Sequence, residues 1–320
     1  MNTNQFIQMH REDWKELEQL HALMRKRKNV SGASVDRFYR LYQKAVQNLS
    51  YAQTYLPHEE VTFYLNGLVS KSHNVLYRDQ MSSMQQVRHF FSTVFIRLLW
   101  GQWKFVAAAF ALFTFGFIGS YIAVLQDPQN IYAILPPDIA YGVDPDALGS
   151  ADSQWNSSIM SANIMTNNIQ VAILAFAGGI TFGLLTVYVL IYNGIIVGAL
   201  AALFWSHGKA YEFWAYIVPH GMIELTAIFI AGGAGLLMGY KLFVPGSFSR
   251  GHQLKVNAKR SIQLLLGTVP LFIIAGVIEG FITPAALPLE AKYFFAVLTV
   301  LGLVFYIIVG KRRYLRESGG

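Results

Sequence analysis

This sequence predicts an all-α fold: a polytopic helical membrane protein with a helical N-terminal domain. Three observations carry that prediction. Of its 320 residues, 54% are hydrophobic and 13% are charged, against roughly 25% charged in ordinary soluble domains. The charges are unevenly spread: residues 1–104 hold 14 Lys/Arg and 8 Asp/Glu, a soluble balance. Beyond Lys104, long apolar runs follow one another, each near the roughly 20 residues that a crossing helix needs. The break near Lys104 therefore marks a change of solvent.

Residues 1–104 read as a bundle of helices. Trp14, Leu17, Leu20 and Leu23 recur at helical spacing in the first. Ser31-Gly32-Ala33-Ser34 is a break, with Ser34 placed to cap the next helix. There Phe38, Leu41, Tyr42, Ala45, Val46, Leu49 and Ala52 form one stripe, which Pro57 ends. Val61, Tyr64, Leu65, Leu68 and Val69 restart the pattern, and Met84, Val87, Phe90 and Phe91 lead towards the apolar region. The run Arg25-Lys26-Arg27-Lys28 reads as a solvated face, with contact to anionic lipid as the alternative.

Residues 105–310 form the expected membrane domain. Phe105–Leu125, Ile169–Tyr192, Trp214–Tyr240, Ile262–Thr283 and Tyr293–Gly310 are long enough to span, and Trp100 and Trp103 supply an interfacial belt. The first run serves as an uncleaved signal and anchor. Charge then sets the expected sides. Residues 126–168 contain Asp127, Asp138, Asp144, Asp146 and Asp152 and no Lys or Arg, so they read as external. Lys241 to Arg260 and the tail 311–320, with Lys311, Arg312, Arg313 and Arg316, are basic and read as cytoplasmic, as does the N-terminus. Getting from outside at Asn168 to inside at Lys241 takes an odd number of crossings. The apolar segment Asn193–Trp205 must therefore cross as a short or broken helix, giving six spans, or a neighbour must be re-entrant. The expected location is a bacterial plasma membrane with both termini cytoplasmic.

Composition also narrows function. The net charge of +7 is explained by basic residues flanking the apolar runs, so no nucleic-acid partner is expected. With no cysteine, disulfides, thiolate metal sites and a cysteine nucleophile are excluded.

Ionisable residues inside spans are costly and mark functional sites by default. Glu224 and Glu279 stand out, and His220 shares a helix face with Glu224 at i, i+4. Pro219 reads as a start or break of a helix, and Asn193 opens the short segment. Three readings of Asn193, His220, Glu224 and Glu279 stand side by side: interhelical hydrogen-bonding glue, a proton or ion site, and a metal site for intramembrane hydrolysis. No His-Glu-x-x-His occurs, which weighs against the last, so neither metal nor cofactor is assigned. Small-residue pairs at Gly179/Gly183, Gly194/Gly198, Gly235/Gly239 and Gly276/Gly280 predict close helix packing, and together with the bundled N-terminal domain they suggest a homodimer. The recurrence of Ala177-Gly178-Gly179 and Ala231-Gly232-Gly233 is a weak sign of internal duplication.

Several motifs together resemble a known family. They are Pro219-His220-Gly221-x-x-Glu224-Leu225, then Ala231-Gly232-Gly233-Ala234-Gly235; Ala275-Gly276-x-x-Glu279-Gly280-Phe281-Ile282-Thr283-Pro284; Asn193-Gly194; and, near the N-terminus, Trp14-x-x-Leu17-Glu18 and Tyr64-Leu65-Asn66-x-Leu68-Val69. The chain resembles the stage II sporulation protein M family of bacterial integral membrane proteins, in its long form. The resemblance implies a non-enzymatic membrane scaffold or assembly factor. Its sporulation member supports peptidoglycan-degrading partners in engulfment, and others lie beside genes for MoxR-type ATPases. Expected partners are the lipid bilayer and envelope-remodelling or ATPase proteins. A channel or transporter built on the His/Glu site is the runner-up. The family offers no established catalytic residue to transfer.

Overall fold

A computed structural model describes residues 3–26, 32–76, 83–148, 158–247 and 249–318, all helix, turn or connection with no strand among them. The chain divides into two compact units, Met1–Gln85 and Gln86–Gly320.

The first unit packs α1 (Thr3–Lys26), α2 (Gly32–Tyr55) and α3 (Glu60–Leu76) against one another. Its core is Phe6, Trp14, Leu17, Phe38, Leu41, Ala45, Leu49, Ala52, Val61, Leu65 and Leu68. Periodicity of three and four residues puts these on one face of each helix. The face is narrower than the sequence suggested, since Leu23, Val46 and Tyr64 are exposed. Because α2 begins at Gly32, Ser34 lies in its first turn instead of capping it. Helix α2 stops at Tyr55, ahead of Pro57, because the residue before a proline is pushed out of the helical region. Arg37 donates twice to the Glu16 carboxylate (2.8 and 2.6 Å) and Lys44 pairs with Asp13 at 2.9 Å, both linking α1 to α2. The Arg37 guanidinium holds the Glu16 carboxyl below its ordinary value. These pairs lie at the surface, where they select register more than they stabilise.

The second unit begins within α4 (Ser83–His89), so the expected domain border at Lys104 moves back. The reason is packing. A wide π-type turn at Phe90–Val94 leads into α5 (Phe95–Gly101). There the Phe95 ring lies on Gly267, Ile96 lies on Gly310, and the Tyr306 hydroxyl donates to the Phe91 carbonyl at 2.7 Å. Residues 90–101 thus belong to the apolar bundle.

That bundle comprises α6 (Trp103–Gln126), α9 (Ser158–Ala177), α10 (Leu184–Ser206), α11 (Ala210–Phe243), α12 (Arg250–Phe281) and α13 (Leu289–Ser318), with the short helices α7 (Ile131–Ile134) and α8 (Pro137–Ala140) after α6. Among the described residues, six helices are long and apolar enough to cross a membrane, the α9 stretch running Asn163–Thr181. Helix α11 is the most buried of the six and packs on α6, α9, α10, α12 and α13, whereas α13 is the least buried.

Three helices long and apolar enough to cross, α9, α10 and α11, take the chain from Asn168 to Lys241, the odd number that the charge argument requires, but the break is not where hydropathy placed it. Asn193–Trp205 is no separate short segment. It is the second half of α10, whose first half was read as the end of the preceding span. The chain turns instead at Phe182 (φ 56°) and Gly183 (φ 85°), after a 3-10 turn over Gly178–Thr181. Thr181 secures the turn: its hydroxyl donates to the Gly178 carbonyl and accepts from the Leu185 amide. Thr186 then donates back to the Ala175 carbonyl at 2.7 Å. A second tight turn closes α10 with Gly208 at φ 70°; the Gly208 amide donates to the Trp205 carbonyl and the Lys209 amide to the Phe204 carbonyl, the Schellman pattern. Pro219, expected to start or break a helix, lies inside an uninterrupted α11.

The small residues bring backbones into contact. A Cβ on Gly194 would meet the Phe113 carbonyl, and one on Gly198 the Phe117 carbonyl, so α6 and α10 run in parallel and touch main chain to main chain. Gly179 faces Gly235, Gly239 faces the Gly183 turn, and Gly276 faces the Met165 sulfur; around Gly280 the space is open. Gly116 and Gly233, outside those four pairs, also bring backbones close, to Ile191 and Val106.

Candidate functional site

Helix periodicity places His220 and Glu224 one turn apart on α11, and both are buried. Glu279 comes from the last turn of α12, antiparallel to α11, and is buried as well. The three side chains converge: each offers a potential ligand atom, and these atoms all lie within 4.8 Å of one another. Gly276 assists this meeting, because with no side chain it lets Met165 of α9 approach α12 one turn from Glu279.

The surroundings continue the polar character towards one end of the bundle. His220 Nδ1 lies 3.2 Å from the Thr283 hydroxyl in the turn after α12. The Thr283 carbonyl accepts from Lys292 Nζ at 2.7 Å. Lys292, in the first turn of α13, is fully buried, with its ammonium 3.6 Å above the Tyr216 ring. One turn of α11 separates Tyr216 from His220, so the ring that faces the cation and the imidazole share one face of that helix. From α9, the Asn168 side chain lies beside the Glu224 carboxylate. Glu224 Oε1 is nonetheless buried without a hydrogen-bond partner.

Of the four polar residues expected in the site, the structure gathers three. Asn193 sits mid-way along α10, where its amide donates to the Val189 carbonyl of its own helix at 2.8 Å. Lys292 and Asn168 were missed. Lys292 carried a readable signal: it is a lone basic residue beside the last apolar run, at the end where the positive-inside rule predicts few cations. Asn168 stood only as the second of a polar pair at a span entrance.

Two carboxyls and an imidazole with little solvent are expensive to leave uncompensated, since burying an unpaired carboxylate costs several kcal/mol. The arrangement can share a proton, hold a cation, or lock α11 to α12 by hydrogen bonds.

The family model of stage II sporulation protein M matches residues 66–284, about two thirds of the chain and all three clustered residues. The chain belongs to the stage II sporulation protein M family. In this member, Lys292 lies just beyond the matched segment. A domain family of unknown function (DUF8413) matches residues 4–78, nearly the extent of the first unit. Among curated proteins, this stage II sporulation protein M relative is 31% identical over 175 residues to uncharacterized protein MJ0793 of Methanocaldococcus jannaschii, covering 54% of this chain and 90% of that one. It is 30% identical over 123 residues to uncharacterized protein MJ0706 of the same organism, covering 38% of this chain and about half (54%) of that protein's length. No solved structure matches.

Proposed function

We propose that this chain is a non-enzymatic integral membrane scaffold, with both termini in the cytoplasm of a bacterial plasma membrane, that assembles envelope-remodelling proteins or an ATPase partner as a homodimer. The observation that carries this reading is the self-contained N-terminal unit: residues 1–85 have their own apolar core, so they offer a folded soluble handle joined to a membrane anchor. Family membership supports the membrane role, and the basic flanks of α12 and α13 support the sidedness. The resemblance to the sporulation member makes partners in cell-wall remodelling the natural class.

A second reading is favoured by one observation, the buried chain Lys292–Thr283–His220 reaching Glu224 and Glu279. Such a polar column inside a helical bundle also suits a transporter.

One experiment separates the two. The full chain, purified from its native membranes, is expected to retain the same protein partners with Glu224→Gln as without it. Reconstituted in liposomes, it is expected to pass neither protons nor alkali cations above the empty-vesicle rate. Flux abolished by Glu224→Gln or Glu279→Gln would overturn the scaffold reading in favour of transport.

A further inference from the structure

We propose that His220, Glu224 and Glu279 bind one divalent transition-metal ion, with Zn²⁺ the best fit, bridging α11 and α12 within the bundle. The inference goes beyond the scaffold reading and does not depend on it.

The donor set is the first argument. One imidazole nitrogen and one oxygen from each of two carboxylates lie within 4.8 Å of one another, close enough to share an ion. Tetrahedral ligands around zinc stand about 3.4 Å apart, given metal–ligand distances near 2.1 Å, so a modest rotation of the two glutamates closes the site. Two carboxylates offset the charge of a divalent ion. That resolves how two acidic side chains can be buried side by side in helices otherwise fit for lipid. The imidazole selects the metal class: nitrogen ligands suit zinc and its transition-metal neighbours, whereas calcium and magnesium prefer an all-oxygen shell.

The supporting contacts are the second argument. A metal-bound histidine almost always anchors its other ring nitrogen to an acceptor, which fixes the tautomer. His220 Nδ1 has that anchor in the Thr283 hydroxyl at 3.2 Å, which leaves Nε2 for the ion. Lys292 holds the Thr283 backbone in turn. Asn168 of α9 lies beside the Glu224 carboxylate. The Glu224 oxygen Oε1 is buried with no hydrogen-bond partner, so it is available as a ligand. Three protein ligands leave a fourth position for water or for a further group.

The test uses tag-free full-length chain in detergent, exposed to Zn²⁺ and then dialysed against buffer containing excess Mg²⁺ and Ca²⁺. Elemental analysis is expected to find one zinc per chain. Glu224→Gln and Glu279→Gln, which keep side-chain size, are each expected to weaken zinc binding at least about tenfold, and Thr283→Val by roughly tenfold. His10→Ala, in the N-terminal unit, should leave it unchanged. X-ray absorption of the zinc-loaded wild type, with no variant required to fold, should show one imidazole with oxygen ligands at about 2.0–2.2 Å. The proposal is overturned if the wild type retains no zinc, if the Gln variants that elute as folded protein bind zinc as it does, if Mg²⁺ or Ca²⁺ displaces the ion at equal concentration, or if the spectrum shows two or more imidazoles.

Discussion

Replacing Phe38 with alanine is expected to destabilise the N-terminal unit by about 3–5 kcal/mol. Phe38 is fully buried in the first turns of α2, in a core shared with Trp14 and Leu17 of α1 and Leu65 and Leu68 of α3. Removing the ring takes away its transfer energy and leaves a cavity that three helices cannot readily close. Domains of this size hold only about 5–15 kcal/mol in total, so such a loss takes much of the margin. Because the core of residues 1–85 is separate from that of the bundle, the damage should stay local. Limited proteolysis of the full chain during a temperature ramp is the measurement. Cleavage within α1–α3 should begin at a markedly lower temperature in Phe38→Ala, while the fragments from α6–α13 remain protected to the wild-type temperature. Val46→Ala, on the same helix but exposed, should shift the onset little, by under about 0.5 kcal/mol. Equal effects from the two substitutions would show that the buried stripe is drawn wrongly.

The second large effect is expected at Gly194. A valine there would drive its Cβ into the Phe113 carbonyl oxygen, with the Phe113 carbonyl carbon at 2.9 Å and the Phe117 amide nitrogen at 3.0 Å. Those atoms are main chain, so no rotamer change relieves the clash, and α6 and α10 must move apart. Overpacking of this kind costs typically 1–3 kcal/mol and here belongs at the top of that range, about 3 kcal/mol. Contacts along the rest of that helix pair, including Gly116 on Ile191 and Gly198 on Phe117, would loosen together. The yield of monodisperse protein in detergent and its melting temperature should both fall sharply for Gly194→Val. Gly280→Ala is the counter-case. Nothing lies within 4 Å of a Cβ at that position, so alanine should be neutral or stabilising by up to about 1 kcal/mol through helix propensity. A harmless Gly194→Val would mean that α6 and α10 do not touch by their backbones.

The sequence signals differed in how much three-dimensional information they carried. Spans such as α6 and α12 were legible because about 20 apolar residues bounded by charge have few other physical meanings. The pairing of His220 with Glu224 was legible too, since it needs only the pitch of one helix. The meeting with Glu279 required knowing which helices are neighbours, and no periodicity encodes that. The break between α9 and α10 was hidden for a more specific reason. Gly178-Gly179-Ile180-Thr181-Phe182-Gly183-Leu184 is itself apolar, so hydropathy runs through the turn without a dip. The backbone reverses there because glycine takes the left-handed conformation at Gly183 and the Thr181 hydroxyl satisfies the Leu185 amide and the Gly178 carbonyl, and neither property registers in a hydrophobicity window. Likewise Gly183 looked like half of a packing pair with Gly179, when the turn removes the two from a common helix face. In the sequence Lys292 stands at the edge of an apolar run, which conceals that its ammonium is buried beside a ring and a carbonyl and is as costly to place as a carboxylate.

The two tight reversals at Phe182–Gly183 and His207–Lys209 have a consequence for biogenesis. Between Ser158 and Phe243 there is no hydrophilic interval long enough for the chain to pause between one transmembrane helix and the next. During synthesis α9, α10 and α11 are therefore expected to enter the bilayer in close succession: α10 meets α9 first, through the Thr186–Ala175 hydrogen bond, and the packing of α9 is completed only when α11 brings Gly235 against Gly179. Ribosomes stalled after α9 should yield nascent chains that membrane quality control degrades, whereas stalling after Phe243 should yield chains that persist.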